Sequence, residues 1–152
     1  MKDMKNKISK LFIAAFTAMI VFSACKKNDP DQWLKDNITI IGKVPVVAGF
    51  TVKPPQTTNV AAGTNVQLDL RYWSDDQIDK INLRSTVGAN AQALVSTIPY
   101  QKAYSSVSRT DSLLLGYQVP GDLAKGTSVV MEIEVVNKNT LTKKATLTLK
   151  IQ

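Results

Sequence analysis

The 152-residue chain has no histidine, a single cysteine (Cys25) and only two glutamates, Glu132 and Glu134. Without histidine there is no Ser-His-Asp or Cys-His catalysis, no His-containing zinc site and no imidazole pH switch. One cysteine excludes an internal disulfide framework and any thiolate metal cluster. Neither a glycine-rich phosphate loop nor the Gly-x-Ser-x-Gly nucleophile elbow of hydrolases occurs. Glu132 and Glu134 stand two apart on a predicted strand, so they share a face. On the polar side of that strand they read as a solvated surface and not as an acid–base pair. The expectation is a protein without catalytic activity.

The N-terminus is where apolar residues run together. Lys2, Lys5, Lys7 and Lys10 precede residues 11–22, apolar except for Thr17, and Ser23, Ala24 and Cys25 follow. A basic head, a short apolar run and a small-residue end describe a secretory signal peptide, because twelve residues are too few to span a bilayer. Phe22-Ser23-Ala24-Cys25 resembles the bacterial lipobox, with Phe22 where leucine is usual. The resemblance implies cleavage after Ala24 and lipidation of Cys25, and several acyl chains on one residue hold far more firmly than one. Removing residues 1–24, which carry four lysines against one aspartate, lowers the net charge from +7 to +4. The remaining basic residues are scattered without an aromatic stripe, so no nucleic-acid partner is expected. Residues 25–37 read as the lipidated cysteine and a polar tether, with Pro30 breaking any helix and one helical turn at most over residues 31–37. Lys26, Lys27, Asp29 and Asp31 resemble the export tag of Bacteroidetes-type surface lipoproteins. That resemblance implies lipid anchoring in a bacterial outer membrane, on its periplasmic or its surface face.

Beyond residue 38 the period becomes two. Val66, Leu68, Leu70 and Tyr72 alternate with Gln67, Asp69, Arg71 and Trp73, Val129, Met131, Ile133 and Val135 with Val130, Glu132, Glu134 and Val136, and Ala145, Leu147, Leu149 and Ile151 with Lys144, Thr146, Thr148 and Lys150. One apolar parity marks half-buried antiparallel strands. Turn residues such as Pro54-Pro55, Gly63-Thr64-Asn65, Gly88-Ala89-Asn90 and Pro120-Gly121-Asp122 separate the runs. The pattern predicts about seven or eight strands, at residues 38–41, 44–52, 65–73, 79–87, 92–98, 113–119, 128–137 and 142–151. Residues 38–52 have two readings, a further strand of the fold or an arm that pairs with another chain. Short strands without covering helices pack most economically as an all-β sandwich of two antiparallel sheets over residues 38–152. A closed lipocalin-like barrel is the competing architecture.

The Ala62-Gly63-Thr64 turn, Tyr72-Trp73-Ser74-Asp75, Tyr117-Gln118-Val119-Pro120 and the final alternating strands are similar to immunoglobulin-like domains of bacterial surface lipoproteins. The Cys-Trp-Cys core of antibody domains is absent. The resemblance implies a binding or structural module, with an envelope protein or a glycan as partner; a carbohydrate-binding lipoprotein of a glycan-uptake system is the alternative. Trp73 lies on the parity opposite Val66–Tyr72, and Tyr100 and Tyr104 fall in what reads as a long polar loop over residues 99–109. These three aromatics are the candidate contacts for a partner or sugar. Asp75, Asp76 and Asp79 are a candidate calcium-ligand set, although turn chemistry alone accounts for them; no other cofactor is indicated. Asp111-Ser112-Leu113 resembles the O-glycosylation motif of exported Bacteroidetes proteins, with Ser112 the acceptor at a loop-to-strand boundary.

Overall fold

The computed structural model describes Asp31, an exposed turn residue, and residues 41–152. The leader, Cys25, the rest of the tether and the predicted strand positions 38–40 lie outside the described residues, and Ile41 is not in a strand. Nine strands follow: β1 (Val46–Val52), β2 (Asn59–Val60), β3 (Asn65–Trp73), β4 (Ile78–Val87), β5 (Ala93–Pro99), β6 (Tyr104–Ser105), β7 (Thr110–Gln118), β8 (Ser128–Asn137) and β9 (Thr142–Ile151). No helix is present among the described residues, so none there is long and apolar enough to cross a membrane.

The strands form two sheets, ordered β1-β3-β7-β6 and β2-β9-β8-β4-β5. All neighbours are antiparallel except β2, which runs parallel to β9 through Asn59 and Val60. The first order is the A-B-E-D sheet of the immunoglobulin pattern, and β9-β8-β4-β5 is its G-F-C sheet with one added strand. Two open sheets with free edges exclude the closed barrel. Alternation dictates the packing. On β3, Val66, Leu68, Leu70 and Tyr72 turn inward, and Ile81, Leu83, Met131 and Ile133 meet them from the other sheet, all buried. The aliphatic layer occupies the space that an inter-sheet disulfide fills in antibody domains.

The strands with the longest alternation, 65–73, 128–137 and 142–151, stand where the sequence puts them. Residues 46–52 are a strand of the sandwich, paired with β3, and not an arm. The stretch 99–109 is not one long loop: it carries β6, whose two residues pair with Thr110 and Asp111. The strand after it begins at Thr110, three residues earlier than its period suggests.

Candidate functional site

The outer face of the small sheet gathers the most unusual surface. Trp73 ends β3 opposite Val46 of β1 and is 41% exposed. Gln67, Asp69 and Arg71 share its parity, and together they run in line along β3 for about 20 Å. Arg71 Nη2 approaches Asp69 Oδ2 at 3.4 Å. The neighbours beside Arg71 and Gln67 are small, with Gly49 and Ser112 opposite Arg71 and Gly116 opposite Gln67, whereas Thr51 and the exposed Leu114 stand opposite Asp69. The face is therefore open beside Arg71 and Gln67, with Leu114 standing between these two gaps. At its far end a groove of about 420 Å³ opens between Lys53, Pro54, Pro55, Gln56, Asn65 and Gln67. An aromatic face in line with hydrogen-bonding groups is suited to stacking against a ring and gripping its hydroxyls.

The other two candidate aromatics do not join Trp73. Tyr100 packs edge-on against Tyr72, with ring centroids 6.4 Å apart and planes at 82°. Its hydroxyl donates to Asp111 Oδ2 at 2.8 Å, and the Ala103 amide donates to Asp111 Oδ1 at 2.9 Å. Burial, reinforced by that hydrogen bond and the carboxylate charge, pushes the Tyr100 phenol above its ordinary range. Tyr100 thus secures the crossing from β5 to β6 and is committed to the fold. Tyr104 is 59% exposed, but it pairs with Asp111, which pairs in turn with inward-facing Tyr72. Directly opposite residues share a face, so Tyr104 lies on the side of the sheet away from Trp73. The three aromatics form no common platform.

The three aspartates are also separated. Asp75 Oδ2 takes the Lys43 ammonium at 2.7 Å, and Asp76 Oδ2 accepts from the Lys43 amide and from Asn139 Nδ2. Asp79 stands 3.8 Å from Lys80 Nζ. Among the described residues no three His, Cys, Asp or Glu side chains converge as a metal site, and the candidate calcium ligands Asp75, Asp76 and Asp79 each have a partner of their own. These loops instead fasten the segment before β1. Buried Asn137 donates through Nδ2 to Lys43 O at 3.0 Å and Ser74 Oγ at 2.8 Å, while its Oδ1 has no partner among the described residues.

Ser112 is not at a loop boundary. It is half-buried two residues inside β7, pairs with Arg71, and its amide donates to Ala103 O. Glu132 and Glu134 do share the outer face of the large sheet, where they are held by cations. Arg84 Nη1 lies 2.7 Å from Glu134 and 3.6 Å from Glu132, and Lys144 Nζ lies 3.1 Å from Glu132. Asn82 Nδ2 donates to Glu134 at 2.9 Å and its Oδ1 accepts from Thr97 Oγ1, which ties β5, β4, β8 and β9 together. The Asn82 hydrogen bond first, and then Arg84, hold the Glu134 carboxyl below its usual range against the opposing effect of burial. A carboxylate stabilised in its ionised form is a poor general acid. This network is not apparent from the alternation alone. Its signal was the polar pair Asn82 and Arg84 on one parity of β4.

No protein-family model matches the chain, and no curated protein matches it.

Proposed function

We propose that the chain is a lipid-anchored, non-catalytic recognition module of the bacterial cell envelope, held by Cys25 and binding through the outer face of the β1-β3-β7 sheet. The observation that carries the binding role is Trp73: a large aromatic 41% exposed on a regular strand, in line with Arg71, Asp69 and Gln67. Its exposed part is available to a partner, and at interfaces tryptophans contribute a large share of affinity. The anchor rests on Phe22-Ser23-Ala24-Cys25 and the leader before it. The same polar row favours a glycan as the occupant, because sugar rings take stacking on one face and hydrogen bonds at their rim.

The test compares wild type with Trp73→Ala on a glycan array and in capture from native envelope extract. The variant should unfold within about 1 kcal/mol of wild type, since the side chain is on the surface. Its binding should fall at least tenfold. Equal binding by both proteins would overturn the assignment of this face. Loss of envelope capture with no glycan bound would favour a protein partner.

A further inference from the structure

The groove at the end of the polar row is built by a side chain that takes the place of a strand. β1 ends at Val52, opposite Leu68, yet the Lys53 amide still donates to Gln67 O at 2.8 Å. The chain then turns through Pro54 and Pro55, and the Gln56 amide closes the turn on Lys53 O at 3.1 Å. Proline has no amide with which to continue the ladder. The Gln56 carboxamide continues it, accepting from the Gln67 amide at 2.8 Å and donating to Asn65 O at 2.9 Å. The walls are thus tied to β3 before any ligand arrives, and binding there costs little ordering.

Directly opposite residues share a face, so Lys53 stands outward beside Gln67, on the face that carries Asp69, Arg71 and Trp73. Lys53 and Lys80 are the half-buried lysines among the described residues. Lys80 has Asp79 at 3.8 Å, whereas no described carboxylate lies within ion-pair distance of Lys53. A charge drawn partly out of water without a counter-charge is unfavourable, and an anion entering the groove removes that cost. The side chains of Asn65 and Gln67, on the same wall, make no hydrogen bond among the described residues, since only their backbone groups bond to Gln56. The wider charge balance points the same way. Ile41–Gln152 carries twelve basic residues against eight acidic, and Asp69, Asp75, Asp79, Glu132 and Glu134 already face cations of the domain itself. An acidic partner is the one this surface attracts.

We propose that the glycan held by this face is acidic, with the anionic substituent of one ring seated against Lys53 while another ring of the same chain stacks on Trp73. This rests on the glycan reading of the face. Lys53 supplies a charge-assisted hydrogen bond to the acid group, and the Asn65 and Gln67 carboxamides can both donate to and accept from the hydroxyls beside it. Arg71, the other cation of the row, is turned to Asp69 and leaves the anion to Lys53. Lys53 and Trp73 stand at opposite ends of a row of about 20 Å, so a chain of several rings bridges them and a single sugar does not. The anion is a ring carboxylate or a sulfate ester, which offer the ammonium the same negative oxygens.

Titration calorimetry on the full chain in mild detergent tests the assignment. The probes are oligosaccharides of galacturonate, glucuronate, mannuronate and sulfated galactose, each beside its carboxyl-reduced or desulfated form. A charged probe should bind about tenfold more tightly than its neutral form, and added salt should narrow the difference. Preference among the carboxylates alone identifies a uronic acid, and preference among the sulfates alone a sulfate ester; either supports the proposal. Lys53→Gln should remove the preference and Lys53→Arg should keep it. Lys143→Gln, on the other sheet, should leave it unchanged, which separates the groove from the general positive charge. Thermal unfolding checks that the variants are folded. Charged and neutral forms bound alike, or a preference that survives in Lys53→Gln, overturn the proposal, and loss of that binding in Trp73→Ala would leave the glycan reading standing without it. Binding indifferent to Trp73→Ala, or no binding of any probe, overturns the proposal together with the reading on which it rests.

Discussion

Ile133→Ala is expected to destabilise the domain by about 2–5 kcal/mol, a large part of the roughly 5–15 kcal/mol that holds such domains folded. Ile133 sits mid-way along β8, between Leu83 of β4 and Ala145 of β9, and is fully buried. Its neighbours on both sides are locked by continuous strand pairing, so the sheet has little freedom to collapse into the space left behind. The cost therefore contains both the lost burial and a residual cavity. Leu114→Ala is the control. It removes a similar number of carbons from an exposed position and should change stability by less than about 1 kcal/mol. Urea unfolding of the two variants beside wild type measures both. Equal effects would contradict the placement of β8 at the centre of the large sheet.

Stability should also fall steeply between pH 10 and about 12, with Tyr72 as a main cause. Its phenol is pushed up to about 12, first by burial and then by the nearby Asp111 carboxylate and Tyr100. The unfolded chain loses this proton near pH 10, whereas the folded chain keeps it, so the folded state holds more protons across that window. Stability is complete below pH 10 and declines as pH rises through the folded value. A shift of that size corresponds to about 2–3 kcal/mol. Lysines deprotonate over part of the same range, so the informative quantity is the difference between wild type and Tyr72→Phe. The variant should lose markedly less stability between pH 10 and 12. Parallel alkaline profiles would contradict a buried Tyr72 beside Asp111.

Asp111 also shows why part of the fold was hidden in the sequence. β3, β8 and β9 were legible because nine or ten residues keep one apolar parity, which leaves few alternative registers. β7 begins at Thr110, yet a charged residue at an inward position reads as loop. Its burial makes sense only once the Tyr100 hydroxyl and the Ala103 amide are brought to it from outside the strand. β2 and β6 have two residues each, too few for any period to show.

The candidate site divides along the same line. The outward aim of Trp73 follows from parity within its own strand. The face of Tyr104 depends on its pairing across β7 to Tyr72, and Asp75 finds its cation in Lys43, thirty-two residues earlier. Contacts of that kind are set by topology, which local patterns do not carry. The polar row from Gln67 to Trp73 needed both kinds of information. Its residues alternate visibly, but the open space beside Arg71 and Gln67 comes from Gly49 and Gly116 on two other strands.

Anchoring by Cys25 is the claim on which the cellular role depends, and one measurement addresses it directly. Mass spectrometry of the N-terminal peptide from the protein extracted from its native envelope should show a chain that begins at Cys25 and carries acyl mass on that residue. A peptide that still contains residues 1–24, or an unmodified Cys25, would contradict the account.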